Sequence, residues 1–117
     1  MAKNDMEVIM YKLLAFIYRC TQEGVELRLE DFCCRSQLFD IPESYWFDIV
    51  EEAINKGYIK GLKICSAKQG SVVLPVGHVA ITLDGVTFLH ENSRMKKAKE
   101  FLGQAFEIVL ENIVKCI

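Results

Sequence analysis

The chain has 117 residues, 51% of them hydrophobic and 26% charged, with a formal net charge of −2. This length suits one domain with an ordinary core, and the composition excludes a disordered chain. The near-balanced charge supplies no global attraction to nucleic acid or anionic lipid, and no apolar run approaches the roughly 20 residues of a membrane-spanning helix.

The N-terminus, MAKNDMEVIMYK, carries acids where a secretory leader needs a basic start and an uninterrupted apolar stretch. A cytoplasmic location is therefore expected. Asn4 with Glu7 reads as a capping box for a first helix. Met6, Ile9, Met10, Leu13, Phe16, Ile17 and Cys20 recur at helical spacing and form its main apolar stripe. Val8, Tyr11, Ala15 and Tyr18 make a weaker stripe on the far side. Gly24 ends this helix, Val25 to Leu27 suggests a short strand, and a second, short helix is expected from about Leu29, with Leu29, Phe32 and Cys33 inward.

The stretch Ile41 to Leu62 reads as a helix, a stop and the start of a strand. Trp46, Phe47, Ile49, Val50, Ala53 and Ile54 fall on one broad helical face. Asp40 is the expected cap, Pro42 suits the first turn, and Gly57 can take the left-handed conformation that closes the helix. The solvated face carries Ser44, Asp48, Glu51, Glu52 and Asn55. Tyr58 to Cys65 and Val72 to Val76 predict a hairpin with SAKQGS at its tip, and Pro75 places the return strand at an edge. Thr82 predicts the cap of a further helix, Gly85 a close approach there, and Phe88 and Leu89 core contacts. Arg94 to Ile117 predicts one long helix in which Gly103 is tolerated at some cost. Its apolar residues cover well over half the circumference, more than one packing partner needs.

The order helix, short strand, helix, helix, wing defines an expected fold. This is a mostly helical α+β winged helix with a two- or three-stranded wing sheet and a long C-terminal helix. A single domain is expected over 1–117, with 1–93 as its core and 94–117 as a C-terminal dimerisation helix. Phe47, Asp48 and Val50, then Gly57-Tyr58-Ile59 with Gly61, then Ile81-Thr82 with Gly85, Phe88-Leu89 and Glu91-Asn92 carry a family likeness. In these residues the chain resembles the YjcQ-like family of small bacterial and prophage proteins, roughly from Met6 to Asn92. The resemblance implies a winged-helix fold and no particular activity, because the shared motifs mark caps and packing.

For function the surface charges are decisive. A winged helix commonly sets its third helix in the DNA major groove. Here that helix would offer Asp48, Glu51 and Glu52 to the phosphates, which is repulsive. The wing is basic, and Asn55, Lys56, Lys60, Lys63 and Lys68 are the DNA-binding candidates. The same lysines could equally be a solvated strand edge. The acidic face, with Tyr45 at its border, is the candidate surface for a basic protein partner. Arg94, Lys96, Lys97 and Lys99 form a second basic cluster. Phe101, Ala105, Ile108 and Val109 are the homodimerisation candidates, with Val8, Tyr11 and Tyr18 of the first helix as possible additions; folding back onto one monomer is the alternative.

Catalysis finds little in the sequence. Adjacent Cys33 and Cys34 diverge on a helix, and His78 and His90 lack partners at metal-ligand spacing. GLKICSAKQGS is neither a P-loop nor a dinucleotide fingerprint. Five cysteines without framework spacing fit a reducing compartment, with Cys20, Cys65 and Cys116 as structural thiols or, alternatively, nucleophiles beside a distant histidine. The expectation is a non-enzymatic, cofactor-free binding protein. Its partner would be another protein or, as the alternative, DNA. A weaker third reading is a regulator that senses a small molecule between its last helix and the core.

Overall fold

The computed structural model describes residues 1–68 and 70–115; Gln69 at the hairpin tip and the expected helix end at Cys116 and Ile117 lie outside the described residues. The elements are α1 (Met6–Glu23), α2 (Glu43–Asn55), β1 (Ile59–Ala67), β2 (Gly70–Ile81), α3 (Leu83–Glu91) and α4 (Ser93–Lys115). The fold is α+β, with four helices and one two-stranded antiparallel sheet, an arrangement consistent with a winged-helix-like domain.

The hub is α1. Val8, Ile9, Leu13, Leu14 and Phe16 are wholly buried, and Tyr11 and Ala15 nearly so. A helix apolar around most of its girth needs cover on several sides. It finds this in α4, β2, α3 and α2, all of which contact it. The weaker stripe of α1 is thus spent inside the chain: Tyr11 packs its ring 5.9 Å from that of Phe106 in α4. Val8 and Tyr11 are therefore withdrawn from any dimer surface. The capping box at Asn4 does not form. Asp5 stands at the cap and accepts from the Ala2 N–H at 2.8 Å, while Glu7 pairs with Arg94 at 3.8 Å. Gly24 closes the helix as expected, its N–H directed to the carbonyls of Cys20 and Thr21.

Neither the strand at Val25–Leu27 nor the helix after Leu29 forms. Phe32 and Ile41 are nine positions apart, so a helix would turn them about 180° from each other. Both are nonetheless buried in one core. The segment instead runs through turns held by Arg28–Asp31 at 2.8 Å and by an isolated bridge between Arg35 and Asp40, whose side chains also pair. Asp40 is thereby engaged with Arg35 and does not cap α2; Pro42, extended at φ −58° and ψ 145°, occupies that position. Phe32 and Phe39 flank Trp46 of α2, with ring centroids 4.9 and 4.6 Å away.

The hairpin is longer than expected because β2 begins at Gly70 and reaches Ile81. Its register runs Cys65↔Val72 to Leu62↔Pro75, then resumes at Lys60↔Ala80. Val76 to Val79 therefore bulge opposite Gly61. At the base Thr82 ties three segments together. Its hydroxyl donates to the Gly57 carbonyl and accepts from the Gly85 N–H, and its backbone N–H donates to the Tyr58 carbonyl at 2.9 Å. Gly85 allows this closeness: a Cβ there would overlap the Tyr58 carbonyl and lie 2.7 Å from Ile81 Cγ1. The Tyr58 and Phe88 rings stack alongside, 4.4 Å apart at 15°.

The expected unbroken last helix is corrected. It starts at Ser93 and is interrupted at Gly103, with φ 65° and ψ −160°, a region open essentially to glycine alone. The first limb packs Met95 and Ala98 inward, and the second packs Phe106, Leu110, Ile113 and Val114. The segment 94–115 is accordingly part of the core as well as a surface.

Candidate functional site

Between α2 and the hairpin runs an open groove of about 670 Å³. Its floor is apolar, formed by Phe47 and Ile64. Its helix wall carries Glu43, Asp48 and Glu51, and its hairpin wall Ser66 and Ser71, whose hydroxyls lie 3.4 Å apart. Asp48 and Glu51 are three positions apart and share a helix face, and Glu43 sits in the first turn, where the helix dipole favours a carboxylate. Among the described residues no cation lines the groove. A concave surface with an apolar floor and three carboxylates matches a basic chain that also carries an apolar side chain.

The other acidic candidates lie outside this groove. Glu52 is exposed elsewhere on α2. Tyr45 is half-buried and donates its hydroxyl to the Asn4 carbonyl at 2.8 Å, tying α2 to the N-terminus. Burial, then Asp5 and Glu7, raise its pKa above the ordinary tyrosine value.

The DNA-binding candidates do not join the groove. Side chains alternate along a strand, so with Ile64 and Ser66 turned to the groove, Lys63 faces away. Lys60, likewise exposed, precedes the bulge; Lys68 stands at the tip, and Asn55 and Lys56 are exposed at the end of α2. Cross-strand pairing puts Leu74 beside Lys63 and Val72 beside Cys65 on the outward face. Exposed apolar residues among wing lysines were not anticipated, because Val72 and Leu74 read as ordinary strand interior.

The dimerisation candidates are all exposed: Phe101 46%, Ile108 58% and Val109 38%, with Ala105 likewise open. Ala105 and Val109, with Leu102 and Phe106, edge a shallow 230 Å³ depression whose far side is Lys12, Gln37 and Leu38. Lys12 donates to the Leu38 carbonyl at 3.1 Å, and burial, then Lys3, lower its pKa. The basic cluster of α4 does not extend the wing. Lys96 and Lys99 instead line a separate cleft with residues of α1 and α3.

Among the cysteines, Cys20 is buried in α1, and burial, then Asp31, push its thiol up to about 11. The Cys33 thiol lies within donating reach of the carbonyls of Glu30 and Arg35, at 3.3 and 3.1 Å, and its one proton can serve either. His78 contacts Glu26 at 3.5 Å, and among the described residues no three of His, Cys, Asp and Glu converge as metal ligands. No described helix is long and apolar enough to cross a membrane.

Fold and groove together define a small α+β protein with a two-stranded hairpin and an acidic helix–hairpin cleft. The family model described as YjcQ protein matches residues 11–107, and the chain belongs to that family. The match spans α1 through the second limb of α4. No curated protein and no solved structure matches the chain.

Proposed function

We propose that the protein is a non-enzymatic protein-binding module that receives a basic segment of a partner protein in the groove between α2 and the hairpin. The observation that carries this reading is the groove itself: Glu43, Asp48 and Glu51 above Phe47 and Ile64, with no lining cation among the described residues. Electrostatic complementarity at such a surface sets on-rate and partner choice, while the apolar floor supplies burial. The test uses a fluorescent Lys/Arg-rich peptide with a central Leu, followed by anisotropy. Asp48→Lys with Glu51→Lys should abolish binding, and Lys60→Glu with Lys63→Glu should leave it intact or strengthen it. Equal binding by both variants would remove the groove from the account.

The module acts as a homodimer, with Phe101, Ala105, Ile108 and Val109 of α4 as the contact. The exposure of all four on this one helix supports this. Static light scattering at micromolar concentration should give twice 13.4 kDa for the chain and the monomer mass for Ile108→Glu. A monomer in both cases ends the dimer reading. The alternative, a DNA-binding regulator, rests on exposed Lys60, Lys63 and Lys68. Binding to mixed duplex DNA that weakens steeply with salt would favour it over the protein partner.

A further inference from the structure

We propose that the cleft between α1, α3 and both limbs of α4 is a binding site for a small organic phosphomonoester of about mononucleotide size. The cleft is independent of the groove and of the dimer face. Its volume, 390 Å³, lies within the roughly 300–1,000 Å³ typical of small-ligand sites.

Three elements bring cationic and nitrogen donors to it: Arg19 from α1, His90 from the last turn of α3, and Lys96 and Lys99 from α4. Lys96 and Lys99 are three positions apart on one helix face, and their neighbours Met95 and Ala98 are anchored in the core. Their backbones are thus fixed although their ammonium groups are solvated. Among the described residues neither lysine has an ion-pair partner.

Among the described lining residues the one carboxylate, Glu107, is already engaged. It lies 3.4 Å from Arg19, and after burial its charge is the next cause that pushes the Tyr11 pKa up to about 12. Glu107 therefore offsets Arg19 and leaves the two lysines uncompensated, which matches the near-dianionic charge of a phosphomonoester at neutral pH. The rest of the lining includes apolar and aromatic side chains, Ala15, Leu89 and Leu110 with Tyr18, whose ring meets that of His90 edge-on at 5.6 Å. These suit a flat organic body and give nothing to a bare inorganic ion.

The test is a thermal-shift and calorimetric titration of the full chain with adenosine monophosphate, adenosine and inorganic phosphate at millimolar concentration. Adenosine monophosphate should raise Tm progressively. Adenosine should do nothing, and inorganic phosphate should bind at least about tenfold more weakly than the nucleotide. Lys96→Gln with Lys99→Gln should weaken nucleotide binding at least about tenfold while leaving the unliganded Tm near that of the parent, because both side chains are exposed. Lys60→Gln with Lys63→Gln should retain it. Absence of any shift, equal binding of inorganic phosphate, or binding undiminished in the Lys96/Lys99 variant would each overturn the proposal.

Discussion

Thr82 shows how much one hydroxyl can fix. It caps α3, holds the end of α2 through the Gly57 carbonyl, and stands where β2 stops. Losing a cap alone costs about 0.5–2 kcal/mol. Thr82→Ala also strips the Gly57 carbonyl of a partner, so the loss should fall at the upper end of that range in urea unfolding. Thr82→Ser, which keeps the hydroxyl, should recover most of it; if it does not, the methyl rather than the hydrogen bonds matters. Gly85→Ala should be worse, since the new Cβ meets backbone as well as the Ile81 side chain. Titration gives a further check at this scale. Tyr11 and Cys20 bind their protons more tightly when folded, at about 12 and about 11 against ordinary values of 10.0 and 9.0. Their contribution to stability is complete below about pH 9 and is lost as pH rises toward 12. Tm should therefore fall across that alkaline window. A flat profile there would mean that neither group is held more tightly by the fold.

Elements differ in how plainly the chain announces them, and the reasons are local. Gly24 and Gly57 end α1 and α2 where their positions suggest, and Thr82 with Gly85 marks α3 correctly. The helix–hairpin unit that walls the groove was legible for the same reason: short-range rules decide it. What eluded the sequence depends on distant partners. Phe32 and Phe39, seven positions apart, would share one face of a helix, but the chain between them turns so that both rings meet Trp46. Asp40 is drawn to Arg35 rather than to the helix behind it. Two of the groove's carboxylates, Asp48 and Glu51, were readable on α2; Glu43 and the floor were not, since only the folded hairpin brings Ile64 to Phe47 and makes a groove of that side of the helix. In α4 the apolar excess at Met95 to Val114 hid the break at Gly103, because two limbs with different burial sum to one over-wide stripe. Gly103→Ala tests the break. No atom lies within 4 Å of the added Cβ, so the cost is that of the backbone alone, about 1–3 kcal/mol. A more stable variant with added helicity by circular dichroism would show that the limbs can straighten without loss.

At the scale of the whole molecule, α1 rather than α2 is the centre, and α4 closes over it. Phe106 links the two through Tyr11, so Phe106→Ala should cost about 3–5 kcal/mol, a large share of a small domain's total. Chemical denaturation gives the number directly. A loss below about 1 kcal/mol would place the second limb outside the cooperative core. The chain's single tryptophan adds an optical consequence. Trp46, 2% exposed between Phe32 and Phe39, should emit at short wavelength, and a shift to the red should report the departure of the irregular 28–41 segment. Far-UV ellipticity reports the helices instead. Because the same rings brace that segment and α2, the two signals should change at one denaturant concentration. Emission that reddens while ellipticity persists would reveal a segment able to leave first, baring Trp46 next to the acidic groove.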